Sequence, residues 1–157
     1  MKFENDDIQL DGLARLTHAI NMKNPPHIEV GIISASARDD GQSNAEIGAA
    51  HEYGVPAHNL ASRSFLRMPL INHLQDEMES SGLIAEKQLK QVIETGTIRP
   101  WLDQIAITAK RTVLKAFETE GWGTWKPWVD PDYTNNAMMI LHDTGQLEGA
   151  QDAQVVD

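Results

Sequence analysis

The chain has 157 residues, with 13 Lys+Arg against 23 Asp+Glu for a formal net charge of −10, and no cysteine. That length suits one domain burying roughly 70% of its unfolded surface. The negative field disfavours adhesion to phosphate backbones, and the missing thiols exclude disulfides, iron–sulfur clusters, cysteine nucleophiles and cysteine-ligated zinc. No stretch approaches the roughly 18 continuous apolar residues of a membrane span. The opening "MKFENDDIQLDG" lacks the apolar centre of a secretory signal, so synthesis in a cytoplasm is expected.

Along the chain, Leu13, Leu16 and Ile20 recur at helical spacing within residues 8–22, so an amphipathic helix is expected there despite Gly12. Asn24-Pro25-Pro26 stops it, because proline cannot continue a helix and restricts its predecessor. "HIEVGII" (27–33) is rich in β-branched residues, with Ile28, Val30 and Ile32 on one face, and reads as a strand. Residues 34–43 carry no period and read as a loop. Ser43 and Glu46 have capping-box spacing, so a short helix is expected from 44 to Tyr53, ended by Gly54 in a left-handed conformation. A loop over 55–62 and the run "RSFLR" then precede a helix from Pro69 to about Ser80.

Residues 83–95 and 99–120 both carry helical patterns, with Gly96 and Pro100 marking a break between them. In the second, Trp101, Leu102, Ile105, Ala109, Val113, Ala116 and Phe117 form one apolar stripe, while Lys110, Arg111, Lys115 and Glu118 lie largely outside it. Residues 121–136 form a tryptophan-rich loop. A short apolar segment (138–141), a turn at Thr144-Gly145 and a last strand at 153–156 complete the pattern. The expected fold class is α+β: a single domain over 1–157, with a small antiparallel sheet packed against a long helical hairpin or bent helix at about 83–120.

Few residues suggest chemistry. His51 and Glu52 are neighbours, so on a helix they point about 100° apart. Helical zinc hydrolases place His at i and i+4 with Glu after the first, and position 55 is Val. A small metal-dependent hydrolase using His51, Glu52, His58 and Asp143 stands as the rival from another class. The plainer expectation is a helix-end His packing on Tyr53 or bonding a carbonyl. Asp143-Thr144-Gly145 has the triplet of aspartic proteases, but those pair two carboxylates in an all-β fold, which the long helices oppose. Asp143 is expected as a turn residue. No phosphate loop, nucleophile elbow or EF-hand pattern occurs, and no cofactor is implied. Trp122, Trp125 and Trp128 fit either a ligand cradle beside Lys126 or, preferably, the pinning of an irregular loop. Arg63 and Arg67 flank Phe65 and Leu66, either facing acidic surface on another subunit or standing in solvent. An adaptor that binds a partner through 83–120 is a further option.

In chain order, Val30-Gly31-Ile32, His51-Glu52-Tyr53-Gly54, Arg63-Ser64-Phe65-Leu66-Arg67, Trp125-Lys126-Pro127-Trp128 and Leu141-His142-Asp143-Thr144-Gly145-Gln146-Leu147 resemble the motifs of a known family. It is the virion morphogenesis, or tail-completion and head–tail joining, proteins of tailed bacteriophages. The likeness spans residues 28–147. It departs at Ser64, where the family usually has Pro, in the longer loop 55–62, and after Leu147, where the closing hairpin is cut to one strand.

What the resemblance implies is structural work without catalysis: a homo-oligomeric ring in the neck or upper tail of the virion, hexameric rather than dodecameric. A tail terminator capping the tube is the alternative from the same biology. The implied partners are a connector or head-closure protein on one side and a tail terminator or tail tube on the other. DNA would pass through the lumen without sequence-specific binding, and no membrane is involved. The residues expected at subunit contacts are His51, Glu52, Tyr53, Arg63, Phe65, Leu66, Arg67, Trp125 and Trp128. In that reading Phe65 and Leu66 anchor in apolar surface and the arginines meet acidic neighbours. An acidic conduit would also repel DNA phosphate and let it slide.

Overall fold

A computed structural model of the chain describes residues 23–33, 43–126 and 145–157, with isolated positions at 11, 14, 17, 21 and 41. Its elements in order are β1 (His27–Gly31), α1 (Asn44–Tyr53), a 3-10 turn at Pro56–His58, α2 (Arg67–Ser80), α3 (Glu86–Thr95), α4 (Arg99–Glu118), a tight turn at Glu120–Gly123, α5 (Gln146–Gly149) and β2 (Asp152–Val156). The fold is α+β, a two-stranded antiparallel sheet against helices, as the sequence implied. β1 pairs with β2 from His27↔Val156 to Gly31↔Asp152, so the sheet joins the two ends of the described chain.

α4 is the axis of the packing. Both strands and α2 lie against it. Its buried face is Ala106, Ala109, Val113, Ala116 and Phe117 with Thr108 and Thr112, a narrow stripe of mostly small residues that lets its neighbours approach closely. The Thr112 hydroxyl donates to the Thr108 carbonyl at 2.9 Å, so its burial leaves no unsatisfied donor. Trp101, at the half-buried start of the stripe, donates its indole N–H to the Leu83 carbonyl at 2.9 Å and fastens the turn before α3. The core closes on α4 with Phe65, Val113, Ala116, Phe117, Trp125 and Leu147, edged by Val30, Ile32, Ile47, Leu66, Leu70 and Trp122. Phe117 is central to it, tilted on Phe65 at 5.1 Å and edge-on to Trp125 at 6.0 Å.

The structure departs from the sequence pattern at several boundaries and in one packing partner. The first strand stops at Gly31, whose φ of 145° turns the chain and whose Cα faces Leu66. α2 begins at Arg67, ahead of Pro69. α4 ends at Glu118, because Glu120, Gly121 and Trp122 all take positive φ and fold the chain back, with the Trp125 indole filling the space a Gly121 side chain would need. The helix lying along α4 is α2, while α3 is joined to α4 through Gly96 in a left-handed C-cap. Asp11, Ala14 and Thr17 are helical and exposed. The stripe Leu13, Leu16 and Ile20, the loop over 34–40 and the segment 127–144, with Trp128, His142 and Asp143, lie outside the described residues. Among those described, no helix is long and apolar enough to cross a membrane.

Candidate functional site

The site grows from α1. Ser43 caps it, its hydroxyl accepting from the Ala45 N–H at 3.2 Å. Asn44, Gly48 and Glu52 fall at i, i+4 and i+8, one face of the helix, and all three are buried. A Cβ on Gly48 would stand 2.7 Å from Ile32 Cδ1, so this glycine lets the chain beyond β1 lie against α1. Glu52 ends the row, with 4% of its surface exposed.

Gly54 then reverses the chain. Its φ of 77° and ψ of 163° are backbone values open essentially to glycine alone, and they are more extended than the left-handed cap expected. A side chain there would stand 2.8 Å from the Ser62 nitrogen and 2.9 Å from the Leu60 oxygen. The loop 55–62 contains the 3-10 turn, Asn59 in a left-handed conformation and a Val55–Leu60 bridge. Residues 62 and 63 therefore run back beside the end of α1. There the Arg63 N–H donates to the His51 carbonyl at 2.7 Å, and the Ser62 hydroxyl donates to the Glu52 carbonyl at 2.8 Å. Two carbonyls that a helix end leaves without partners are thereby satisfied.

The Glu52 carboxylate completes the junction. Its Oε1 accepts from the Ser64 hydroxyl at 2.5 Å and the Arg67 N–H at 3.1 Å, and its Oε2 accepts from the Phe65 and Leu66 N–H groups at 3.0 Å each. Four donors match the lone-pair capacity of a carboxylate. These amides lead into α2, which has no acidic residue in its own first turn. Glu52 thus supplies, from another helix, the negative charge that a helix N-terminus favours. Ser64 works twice, donating to Glu52 and accepting from the Met68 N–H at 3.0 Å. Proline at 64 could do neither.

Arg63 is 3% exposed. Its Nε and Nη2 both donate to the Lys126 carbonyl at 3.1 Å, fixing the chain just after the buried Trp125. Burial draws the guanidinium pKa below its ordinary value, yet the ordinary value is so high that the group stays charged at neutral pH. Outside this buried row, the Arg67 guanidinium lies 6.0 Å over the Tyr53 ring and 3.9 Å from Glu52 Oε1. Trp122 stacks on His73 at 3.8 Å, a contact that no sequence spacing announces.

The residues expected at subunit contacts therefore divide. Glu52, Arg63, Phe65 and Trp125 are taken up inside the chain, and Phe65 anchors in this chain's own core at 2% exposure. His51 and Leu66 are half-buried, whereas Tyr53 and Arg67 face solvent; Trp128 lies outside the described residues. His58 is exposed on the 3-10 turn. Among the described residues, no three His, Asp or Glu side chains gather as metal ligands would. Compared with known proteins, the chain matches no family model, no curated protein and no solved structure.

Proposed function

We propose that the chain is a structural component of the neck or upper tail of a tailed bacteriophage, a ring-forming tail-completion or head–tail joining protein. The order of its motifs from Val30 to Leu147 supports this reading, and the Glu52 carboxylate is the observation that carries it. That side chain links the two most distinctive pieces, 51–54 and 63–67, into one rigid unit. A general acid or metal-ligating carboxylate keeps lone pairs within reach of substrate or ion. Glu52 gives its oxygens to its own chain, so the motif serves a scaffold better than it serves turnover. The ring would hold six copies, between a connector or head-closure protein and a tail terminator or tube, with DNA passing through the lumen. A tail terminator would use the same scaffold and differ only in which neighbour it touches.

Deletion of the coding sequence, with complementation in trans, tests the proposal. DNA-filled heads and separate tails should accumulate without it, and infectious particles should return with the wild-type chain. Normal titres in its absence would contradict the reading. Stoichiometric, tightly held transition metal in the purified protein, lost together with a hydrolytic activity in His51→Ala, would favour the hydrolase instead.

A further inference from the structure

Helix α2 carries its charges in the order its own dipole disfavours. A helix favours acids in its first turn and bases in its last. α2 starts with Arg67, has no acid in its first turn and no base in its last, and ends with Asp76, Glu77 and Glu79. Glu52 reaches in from α1 to relieve the first end. At the other end Lys115 takes Glu77 at 2.5 Å. Asp76 and Glu79 stay exposed, with the Gln75 amide donating to Glu79 at 2.9 Å. Such an arrangement costs the isolated helix stability, and local rules are broken most often where function requires it.

Exposed apolar side chains accompany each end. Beside Arg67 stand Tyr53, Met68 and Ile71, at 70%, 40% and 68% exposure. Just beyond the acidic end stands Ile84, at 50%. From Arg67 to Glu79 the helix rises ~18 Å, and Ile71 and Asp76, the nearest members, point about 140° apart around it, so the two patches are separate surfaces. One is apolar and basic, the other apolar and acidic. The Arg67 side chain is 57% exposed, and its 3.9 Å approach to Glu52 leaves the guanidinium open to a second carboxylate.

We propose that these patches are the two halves of one head-to-tail contact between copies of this chain, Tyr53, Arg67, Met68 and Ile71 of one copy meeting Asp76, Glu79 and Ile84 of the next. The contact deepens the ring reading, on which it rests, by naming the surfaces that repeat around it. Opposite charge makes a second copy the complementary occupant. A two-fold pairing would also bring unlike ends together but would stop at a dimer, so growth past two copies marks the head-to-tail contact. Unlike patches on one chain repeat without limit unless rotation closes them into a ring.

Two full-length variants test this. Met68→Ser with Ile71→Ser removes the apolar part of the basic patch and leaves the acidic patch intact; Asp76→Lys with Glu79→Lys does the reverse. Sedimentation velocity over a concentration series should show wild-type mass growing with concentration, and each variant associating at least about tenfold more weakly. Mixed in equal amounts, the variants should form a discrete one-to-one dimer and stop, since only one intact pair of patches remains. The lysine variant should melt no lower than wild type, because its new charges suit the helix C-terminus. Should it melt lower, Ile84→Lys provides the second spoiled acidic patch for the same mixing test. Wild-type association by either variant, a mixture that stays monomeric, or a wild type that never associates or stops at a dimer overturns the contact. Rings formed equally well by both variants would remove this contact and leave the ring reading standing; absence of the chain from the particle would remove that reading too.

Discussion

At the α1–α2 junction one carboxylate, nearly out of water, receives four hydrogen bonds. At the opposite extreme, β2 is tied to α4 by ion pairs in open solvent. Arg99 meets Asp157 at 2.7 Å and also donates to the Val155 carbonyl at 3.3 Å, and Lys110 meets Asp152 at 3.0 Å. The dimensions fit: from Arg99 to Lys110 the helix rises ~16.5 Å, and the chain from Asp152 to Asp157, β2 and the residue after it, extends ~17 Å. Strand and helix thus share a length, and each end is clipped. No residue of β2 is fully buried, whereas the junction buries Glu52, Arg63 and Phe65. A buried carboxylate cannot be removed without stranding its donors, but an exposed pair exchanges partners with water at little cost. One joint fixes the fold and the other can fray.

The largest effects should fall at the junction. Glu52→Ala leaves the Phe65, Leu66 and Arg67 amides and the Ser64 hydroxyl without their acceptor, and should cost about 3–5 kcal/mol in urea denaturation. Phe65→Ala should cost a similar ~3–5 kcal/mol through the cavity beside Phe117. If Glu52→Ala costs less than about 1 kcal/mol, the junction is no more committed than the strand, and the contrast fails. Gly54→Ala should follow at about 1–3 kcal/mol, since its backbone angles and the nearby Ser62 nitrogen both resist a Cβ.

At the strand, Arg99→Ala with Lys110→Ala should leave the global melting transition nearly unchanged while hydrogen exchange at residues 152–156 accelerates. Molar salt should reproduce that acceleration in the wild type and add little to the double variant. Equal protection of β2 in all conditions would show that the sheet, and not the ion pairs, holds the strand. The smallest effect is one of pH. The hydrogen bond from Lys110, aided by the Ala153 N–H, lowers the Asp152 pKa below the ordinary carboxylate value. Its contribution is therefore present above that ordinary value and is lost as pH falls through the lower, folded one. Amide shifts of β2 followed by NMR should move in that acidic window, and Lys110→Ala should shift the midpoint upward.

What could be read without the structure was local. The limits of α1 follow from Ser43 and Gly54, and Ala109, Val113, Ala116 and Phe117 follow from helical period, because cap and stripe are written within a few residues. The start of α2 was misplaced at Pro69 because its capping carboxylate comes from residue 52. An opening turn "RMPL", with no acid and no capping side chain, was the trace that a distant residue must serve it. The stripe on α4 told that a face is covered but not by which helix, so α2 was missed as the companion. Arg63 and Phe65 were expected at subunit contacts, yet they take partners inside the chain; the Lys126 carbonyl and the Phe117 ring are set by tertiary packing that no spacing encodes. Ser64, which departs from the motif, proved to have its own two hydrogen bonds.

Reconstruction of the intact virion by electron cryomicroscopy tests the central claim most directly. The account predicts a closed ring of this chain between capsid and tail, each copy retaining the Glu52 junction and presenting the Arg67 end of α2 to the acidic end of its neighbour. Particles whose neck and upper tail are fully accounted for by other chains would contradict it.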